Sequence, residues 1–286
     1  MKIAALGDIH GNYQALITVL EHVQAWRPDL VLILGDLINR GPRSKDCYDL
    51  IRDRSSNPDW HVIKGNHEGY VLNFLDPDFS REGVDLALRQ VIYWTYKSLL
   101  RQDLEQIILL PEEIKIDLPR IGLVQAAHAS TAGDRIGIYP STPNDQLPGL
   151  IPEKAQLFLI GHTHQPLVRT FNETLVINTG SVGLPFDGNT RASYGQVTYQ
   201  NGTWQGEITR VAYDLEAAKQ DFHQTGFITD GGPLADLILA EMELGWPQLG
   251  RWFRKYEVAV RRGKISVREA VYEFLKNPNI ETPITQ

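Results

Sequence analysis

Five short apolar runs, each ending on an Asp, Asn or His, constrain this chain more than any other feature. Ile3-Ala4-Ala5-Leu6 leads into Gly7-Asp8-Ile9-His10-Gly11, and Leu30 to Leu34 leads into Gly35-Asp36, with Asn39-Arg40-Gly41 just beyond. Val62-Ile63 precedes Gly65-Asn66-His67-Glu68, Ile121 to Ala127 ends at His128, and Leu157 to Ile160 ends at Gly161-His162-Thr163-His164. Short apolar runs bounded by turn formers read as buried strands. In open α/β sheets, ligands collect at the carboxyl ends of strands. The five tips therefore predict one shared site.

The elements between the tips support this. Leu16, Val19, Leu20 and Val23 fall at helical spacing behind Asn12, a candidate cap. Pro28 ends that helix, Ser44 to Asp53 predicts a second, and Trp60 to Ile63 a third strand. A β-α-β-α-β opening implies a largely parallel sheet with crossover helices. Residues Glu82 to Leu110 read as helical, with Val84, Leu88, Val91, Thr95 and Leu99 on one face, and this insert is placed to roof the site. From Glu112 onward strands shorten and crowd: Ile114 to Leu118, Val168 to Thr170, Leu175 to Ile177, Ser193 to Thr198 and Thr203 to Val211. They predict hairpins and a second sheet packed on the first. Pro140 to Pro152 is a loop. The tail is helical, with a stripe of Leu249, Trp252, Phe253, Tyr256 and Val260 and a capping box at Ser266 and Glu269. Two segments are expected: a catalytic domain over 1–211 with a helical insert at 82–110, and a helical extension over 212–286 packed on the same domain.

Composition removes several classes. A net charge of −7 argues against stable nucleic-acid binding. Cys47 is the only cysteine, which excludes an intrachain disulfide and a Cys-rich zinc site. No apolar run approaches the roughly 18 residues of a membrane span, and the first apolar segment is too short for a secretory signal. A cytoplasmic protein without membrane contact is expected. The oligomeric state is open.

The polar residues at the tips have the chemistry of metal ligands. Asp8 and His10 are two apart, and on an extended segment such side chains point the same way, about 6.6 Å apart along the chain. His162 and His164 repeat the spacing. With Asp36, Asn66 and His128 they make seven N and O donors, too many for one tetrahedral ion and suited to two ions sharing a carboxylate. With no thiolates, Mn, Fe, Zn, Ni and Co all qualify. A bridging hydroxide would leave such a centre with about one positive charge, so it attracts anions such as phosphate. Any one of these histidines alone could be an ordinary core or surface residue, as His22, His61 and His223 are read. Five of the eight histidines fall in the signatures, and that coincidence decides for a site. Arg40 is the candidate phosphate ligand, and His67, which could instead pack or cap, is the candidate leaving-group acid or phosphate donor. Glu68 is open between a role in the site and a structural one, and Cys47 reads as structural.

The ordered set Asp8-x-His10, Gly35-Asp36, Gly65-Asn66-His67-Glu68, His128 and Gly161-His162-x-His164 resembles the calcineurin-like metallophosphoesterases over about residues 2 to 211. Asn178 to Gly183 and Tyr213 to Ala218 resemble the small bacterial phosphodiesterase-like branch. The resemblance implies a four-layer α/β/β/α sandwich of two mixed sheets with a dinuclear site. By position, Asp8, His10, Asp36 and His164 would bind one metal. Asp36, Asn66, His128 and His162 would bind the other, with Asp36 bridging. The implied activity is a metal-dependent phosphoesterase acting on small or nucleotide phosphate esters. Arg40-Gly41-Pro42 also resembles symmetrical diadenosine tetraphosphatases. Asn39 stands where the serine/threonine protein phosphatases carry an aspartate, and it can orient His67 without supplying charge. A non-catalytic scaffold of the same fold is the rival reading. It would be expected to lose ligands, and this sequence keeps every one.

Overall fold

The computed structural model describes residues 1–276; the last ten residues of the extension expected over 212–286 lie outside it. Two five-stranded mixed sheets stack face to face. In the first, β1 (Lys2–Leu6), β2 (Leu30–Ile33) and β3 (Trp60–Val62) run parallel. Helices α1 (Tyr13–Trp26) and α2 (Ser44–Arg54) cross over between them, and α3 (Asn66–Leu72) follows β3. The second sheet is β4 (Glu113–Leu118), β5 (Gly122–Ala127), β6 (Ala155–Ile160), β8 (Thr174–Asn178) and β7 (Leu167–Phe171), in that spatial order. The late hairpin β9 (Ala192–Gln200) and β10 (Thr203–Val211) does not belong with these strands. It returns to the first sheet, where β9 pairs antiparallel with β1.

Strand alternation explains the stacking. Ile3, Ala5, Leu32 and Leu34 face Val124, Ala126, Leu157 and Leu159 between the sheets, all buried. The alternate residues Ala4, Leu6, Val31 and Ile33 pack on Leu16, Val19, Leu20 and Val23 of α1. Each of the valine, leucine and isoleucine side chains contributes roughly 1.5–3 kcal/mol by leaving water. The outer face of the second sheet is covered thinly. Ile138, Leu147 and Ile151, around a single 3-10 turn at Asn144–Gln146, lie on Phe158, Ile160 and Val176.

The predicted α1 cap is present, with Asn12 Oδ1 accepting from the Ala15 N–H. The helix expected from Glu82 to Leu110 is instead three: α4 (Gly83–Ala87), α5 (Gln90–Ser98) and α6 (Arg101–Ile108). The second break has a local cause. Leu99 and Leu100 are extended, and the Asp103 carboxylate accepts from the Leu100 N–H, restarting the helix rather than continuing it. Beyond β10 come α7 (Leu215–Gln224), α8 (Phe227–Asp230), α9 (Leu234–Leu244), α10 (Leu249–Arg261) and α11 (Val267–Leu275). The predicted stripe of α10 and the Ser266–Glu269 capping box are both present. Leu88 and Val91 of the insert share one apolar cluster with Phe222, Leu234, Ile238 and Trp252 of the tail. Insert and tail thus form a helical body over the strand tips of the sandwich.

Candidate metal centre

The strand tips are tight turns, not extended chain. Asp8, His10, Asp36, Asn39, Arg40, His162 and His164 all have positive φ, seven of the eleven non-glycine residues with that conformation among the described residues. The expected same-side projection of Asp8 and His10 from an extended segment is therefore replaced by left-handed backbone at both. Such residues cost on the order of 1–3 kcal/mol each and persist only where neighbours over-determine them. Here they do. The His10 N–H donates to the Asp36 carbonyl (2.9 Å), the Gly11 N–H to Leu37 (3.1 Å), and the Gly183 N–H to Asp8 (3.0 Å). The Gly41 N–H donates to the His10 carbonyl (2.8 Å), and a Cβ at Gly41 would collide with that oxygen, which explains the glycine after Arg40. Glu68 is fully buried and accepts from the N–H groups of Gly65, Asp36, Leu37 and Ile38. It clamps the Asp36 turn, with both carboxylate oxygens spent on backbone N–H groups. Burial and the Asp36 charge push its carboxyl up, to about 7, against the pull of those donors.

The seven predicted donors converge. Asp8, His10, Asp36 and His164 are buried, and one ligand atom from each lies within 4.8 Å of the others, a set that can hold a metal ion. Asp36 also belongs to the remaining group: its Oδ2 lies 3.6 Å from His10 Nε2 and 3.3 Å from His128 Nε2. Asn66 Oδ1 lies 2.9 Å from His128 Nε2 and 3.0 Å from His162 Nδ1. Each aspartate spends one oxygen on the backbone and leaves the other for the centre. Asp8 Oδ2 accepts from the His162 N–H and Asp36 Oδ1 from the His67 N–H, both at 2.8 Å. Asp8 Oδ1 is buried without a hydrogen-bond partner.

Tautomers show what is missing. His128 Nδ1 donates to the Leu34 carbonyl (2.8 Å), so in the neutral ring Nε2 is a bare lone pair. That lone pair meets Asn66 Oδ1 and Asp36 Oδ2, two further acceptors. His164 Nδ1 likewise donates to the Leu184 carbonyl, turning its Nε2 toward His10 Nε2 (3.1 Å) and Asp8 Oδ1 (3.2 Å). These acceptors are satisfied either by a proton on the His128 ring or by a bound cation, and Asp8 Oδ1 stays buried with no proton donor of its own. The donor set fits cations on this ground. Without them, burial works against the Asp36 anion, but His128 and His67 hold it well below the usual carboxylate range. Burial likewise lowers His128, yet the Asp36 carboxylate raises it to about 10. Burial depresses His10 strongly, and lowers His162 to about 4.

His67 and Arg40 border this cluster. The Arg40 N–H donates to Asn39 Oδ1 (2.8 Å), which leaves the Asn39 amide to donate to His67 Nδ1 (2.8 Å). His67 therefore keeps its proton on Nε2. Arg40 Nε also points at that nitrogen, but at 3.5 Å it is a much weaker contact than the 2.8 Å bond from Asn39 that sets the tautomer. Burial, opposed by Asp36 and reinforced by Arg40, lowers His67 to about 3, so it is neutral near pH 7. Arg40 Nη1 is paired with Glu241 Oε2 at 2.6 Å. The sequence reading missed Glu241. Its signal was an acid on the apolar face of α9, beside Leu237, Ile238 and Met242. It also left the Asn178–Gly183 turn without a role. There Ser181 Oγ donates to the Asp8 carbonyl (2.6 Å) and supports the first tip. The residues read as ordinary stay outside: His22 bonds to the Tyr194 hydroxyl, and Cys47 is buried under the first sheet.

The family model described as calcineurin-like phosphoesterase matches residues 1–166, more than half of the chain. The chain belongs to the calcineurin-like phosphoesterase family. It is thus a metal-dependent phosphoric ester hydrolase, and the donor cluster occupies the strand tips within the matched region. Among similar proteins of known sequence, an uncharacterized protein of Methanocaldococcus jannaschii is 28% identical over 233 residues, 76% of this chain and 89% of that one. Serine/threonine-protein phosphatase 2 of Escherichia coli is 28% identical over 203 residues, 63% of this chain and 87% of that one. The crystal structure of a metallophosphoesterase from Sphaerobacter thermophilus superposes with a TM-score of 0.67 at 25% identity, covering 86% of this chain and all of that one. As a calcineurin-like phosphoesterase, this chain differs from a bare sandwich by the helices that follow β10. Among the described residues no helix is long and apolar enough to cross a membrane.

Proposed function

We propose that this calcineurin-like phosphoesterase hydrolyses small organic phosphate esters, monoesters or diesters including nucleotides, through two divalent transition-metal ions that share Asp36. The observation that carries this is the position of Asp36 Oδ2 between His10 Nε2 and His128 Nε2, at 3.6 and 3.3 Å. One ion would be held by Asp8, His10, Asp36 and His164, the other by Asp36, Asn66, His128 and His162. Such ions supply an activated water for in-line attack on phosphorus and charge to offset the phosphoryl oxygens.

The chain's own residues supply the rest. Arg40 contributes a guanidinium held by Glu241, with donors left for a phosphoryl oxygen. His67 presents Nε2–H to the leaving oxygen as a neutral hydrogen-bond donor. A neutral ring with Nδ1 already accepting from Asn39 is a poor proton donor, so leaving groups that depart without full protonation suit it best. That favours aryl esters, and nucleotides whose leaving group is itself a phosphate, over alkyl esters such as phosphoserine and phosphothreonine, whose leaving groups are alkoxides. In this reading residues 1–211 are the catalytic domain with its insert at 82–110, and the extension from 212 completes the cleft.

The test is hydrolysis of phenyl phosphate and of an aryl phosphodiester by the chelator-treated chain, with Mn, Fe, Zn, Ni or Co restored singly. Turnover that disappears with chelation and returns with metal supports the reading. Metal-independent turnover, or none with any metal, contradicts it.

A further inference from the structure

The cleft above the donor cluster is larger than a phosphoryl group needs. It encloses about 520 Å³, within the range of sites that hold whole small molecules. Its floor is polar, with Asn39, Arg40, His67 and two of the imidazoles. Its outer half is not. Ile92 of α5, Leu234 and Ile238 of α9, and Leu249 and Phe253 of α10 line it there. Leu234 and Ile238 are core residues, whereas Ile92, Leu249 and Phe253 remain half-buried and present apolar surface to the cleft.

The rim carries Arg89, Glu257 and Arg261, and carboxylate pairing engages Arg261 and Glu257. Arg261 pairs with Asp85 and with Glu257, each at 2.8 Å, and Arg89 lies over the Phe79 ring at 4.7 Å. The Arg261–Asp85 pair also ties α10 to the insert, so the apolar half is walled on two sides by helices joined to each other. A peptide laid here would bury backbone amides against Ile, Leu and Phe, where each unmet hydrogen bond costs roughly 1–3 kcal/mol. An aromatic or alicyclic group loses nothing of the kind and gains by leaving water.

We infer that the apolar half of the cleft, between α5 and α10, is a binding subsite for an apolar ring carried on the phosphate ester. It selects such esters over phosphopeptides and over esters of small polar alcohols. The inference rests on the reading of the adjoining cluster as a phosphate site.

Calorimetric titration of the full-length, Mn-loaded chain with non-hydrolysable phosphonates tests it. Naphthylmethylphosphonate is expected to bind at least tenfold more tightly than methylphosphonate. Phe253→Ser is expected to reduce that ratio below threefold, with a thermal melt confirming the fold. If Phe253→Ser does not fold, Ile92→Asn reports on the α5 wall with the same expectation. A ratio near one in the unaltered chain overturns the inference. So does a ratio unchanged in a folded variant, or a phosphoserine peptide that binds as tightly as the naphthyl compound. Binding is read without turnover, so the two readings fail separately. Selective phosphonate binding with no ester hydrolysis would sink the enzymatic reading alone, and hydrolysis of phenyl phosphate with a ratio near one would sink the subsite alone.

Discussion

Arg40 and Glu241, 201 residues apart in the chain, form an ion pair of 2.6 Å beside the donor cluster. Glu241 is completely buried, and its second oxygen accepts from the N–H groups of Gln248 and Leu249. The pair joins the turn after β2 to the junction of α9 and α10, making the late helices part of the phosphate end of the cleft.

Removing one partner of a buried pair leaves a charge uncompensated, at a cost of about 3–5 kcal/mol. Glu241→Gln is therefore expected to lower the melting temperature. Because Arg40 is also released, phosphate should inhibit this variant about tenfold more weakly, with KM raised more than kcat is lowered. A purely structural Glu241 would move the melting temperature and leave phosphate inhibition as it was.

Arg40→Ala deletes the phosphate donor itself. A charge-assisted hydrogen bond is worth roughly 1.5–3 kcal/mol, so the inhibition constant for inorganic phosphate should rise at least tenfold. Equal inhibition of variant and parent would remove Arg40 from the site.

His67 is expected to matter for turnover and not for metal binding. His67→Ala should cut kcat on phenyl phosphate by about a hundredfold or more while bound metal, measured by elemental analysis, is unchanged. Asn39→Asp should move the His67 proton from Nε2 to Nδ1, since a carboxylate accepts from Nδ1–H and raises the basicity of Nε2. The gain should be larger for alkyl than for aryl phosphates. Parallel changes on both would show that Asn39 does not govern the His67 proton.

Metal uptake should depend on pH in a set direction. In the metal-free chain burial lowers His128, but Asp36 raises it to about 10, so at pH 7 it carries a proton where a cation would bind. The metal-free state holds more protons, and affinity should rise with pH by up to about tenfold per unit between pH 6.5 and 9. For the metal-free chain the raised value has the opposite consequence. Its stabilisation is complete below the unfolded value near 6.5 and is lost as pH rises through about 10. Calorimetry in buffers of different ionisation enthalpy counts the released proton, and an affinity flat across this range would contradict the assignment.

The parallel strands and the convergence of the polar tips were legible because each tip couples two strong signals, an apolar run and a polar residue directly after it. Two strands were assigned to the wrong sheet because alternation in Ser193 to Thr198 and Thr203 to Val211 gives faces, not partners. The helix from Glu82 broke at Leu99 because a side-chain cap from Asp103 outweighed periodicity. The left-handed turns at Asp8, His10, His162 and His164 were not legible at all. They follow from long-range hydrogen bonds, such as Gly183 to Asp8, that no local pattern encodes. Glu241 was overlooked because its partner lies on another element; its local signal, an acid on the apolar face of α9, marks burial without naming Arg40.

Counting metal is the most direct test of the central claim. Elemental analysis of the purified chain, reconstituted with Mn and desalted, should give two ions per chain, falling to one in His128→Ala and in His10→Ala and to near none in Asp36→Ala. One ion per chain in the parent, or an Asp36→Ala variant that still holds two, would contradict a pair of cations sharing that carboxylate.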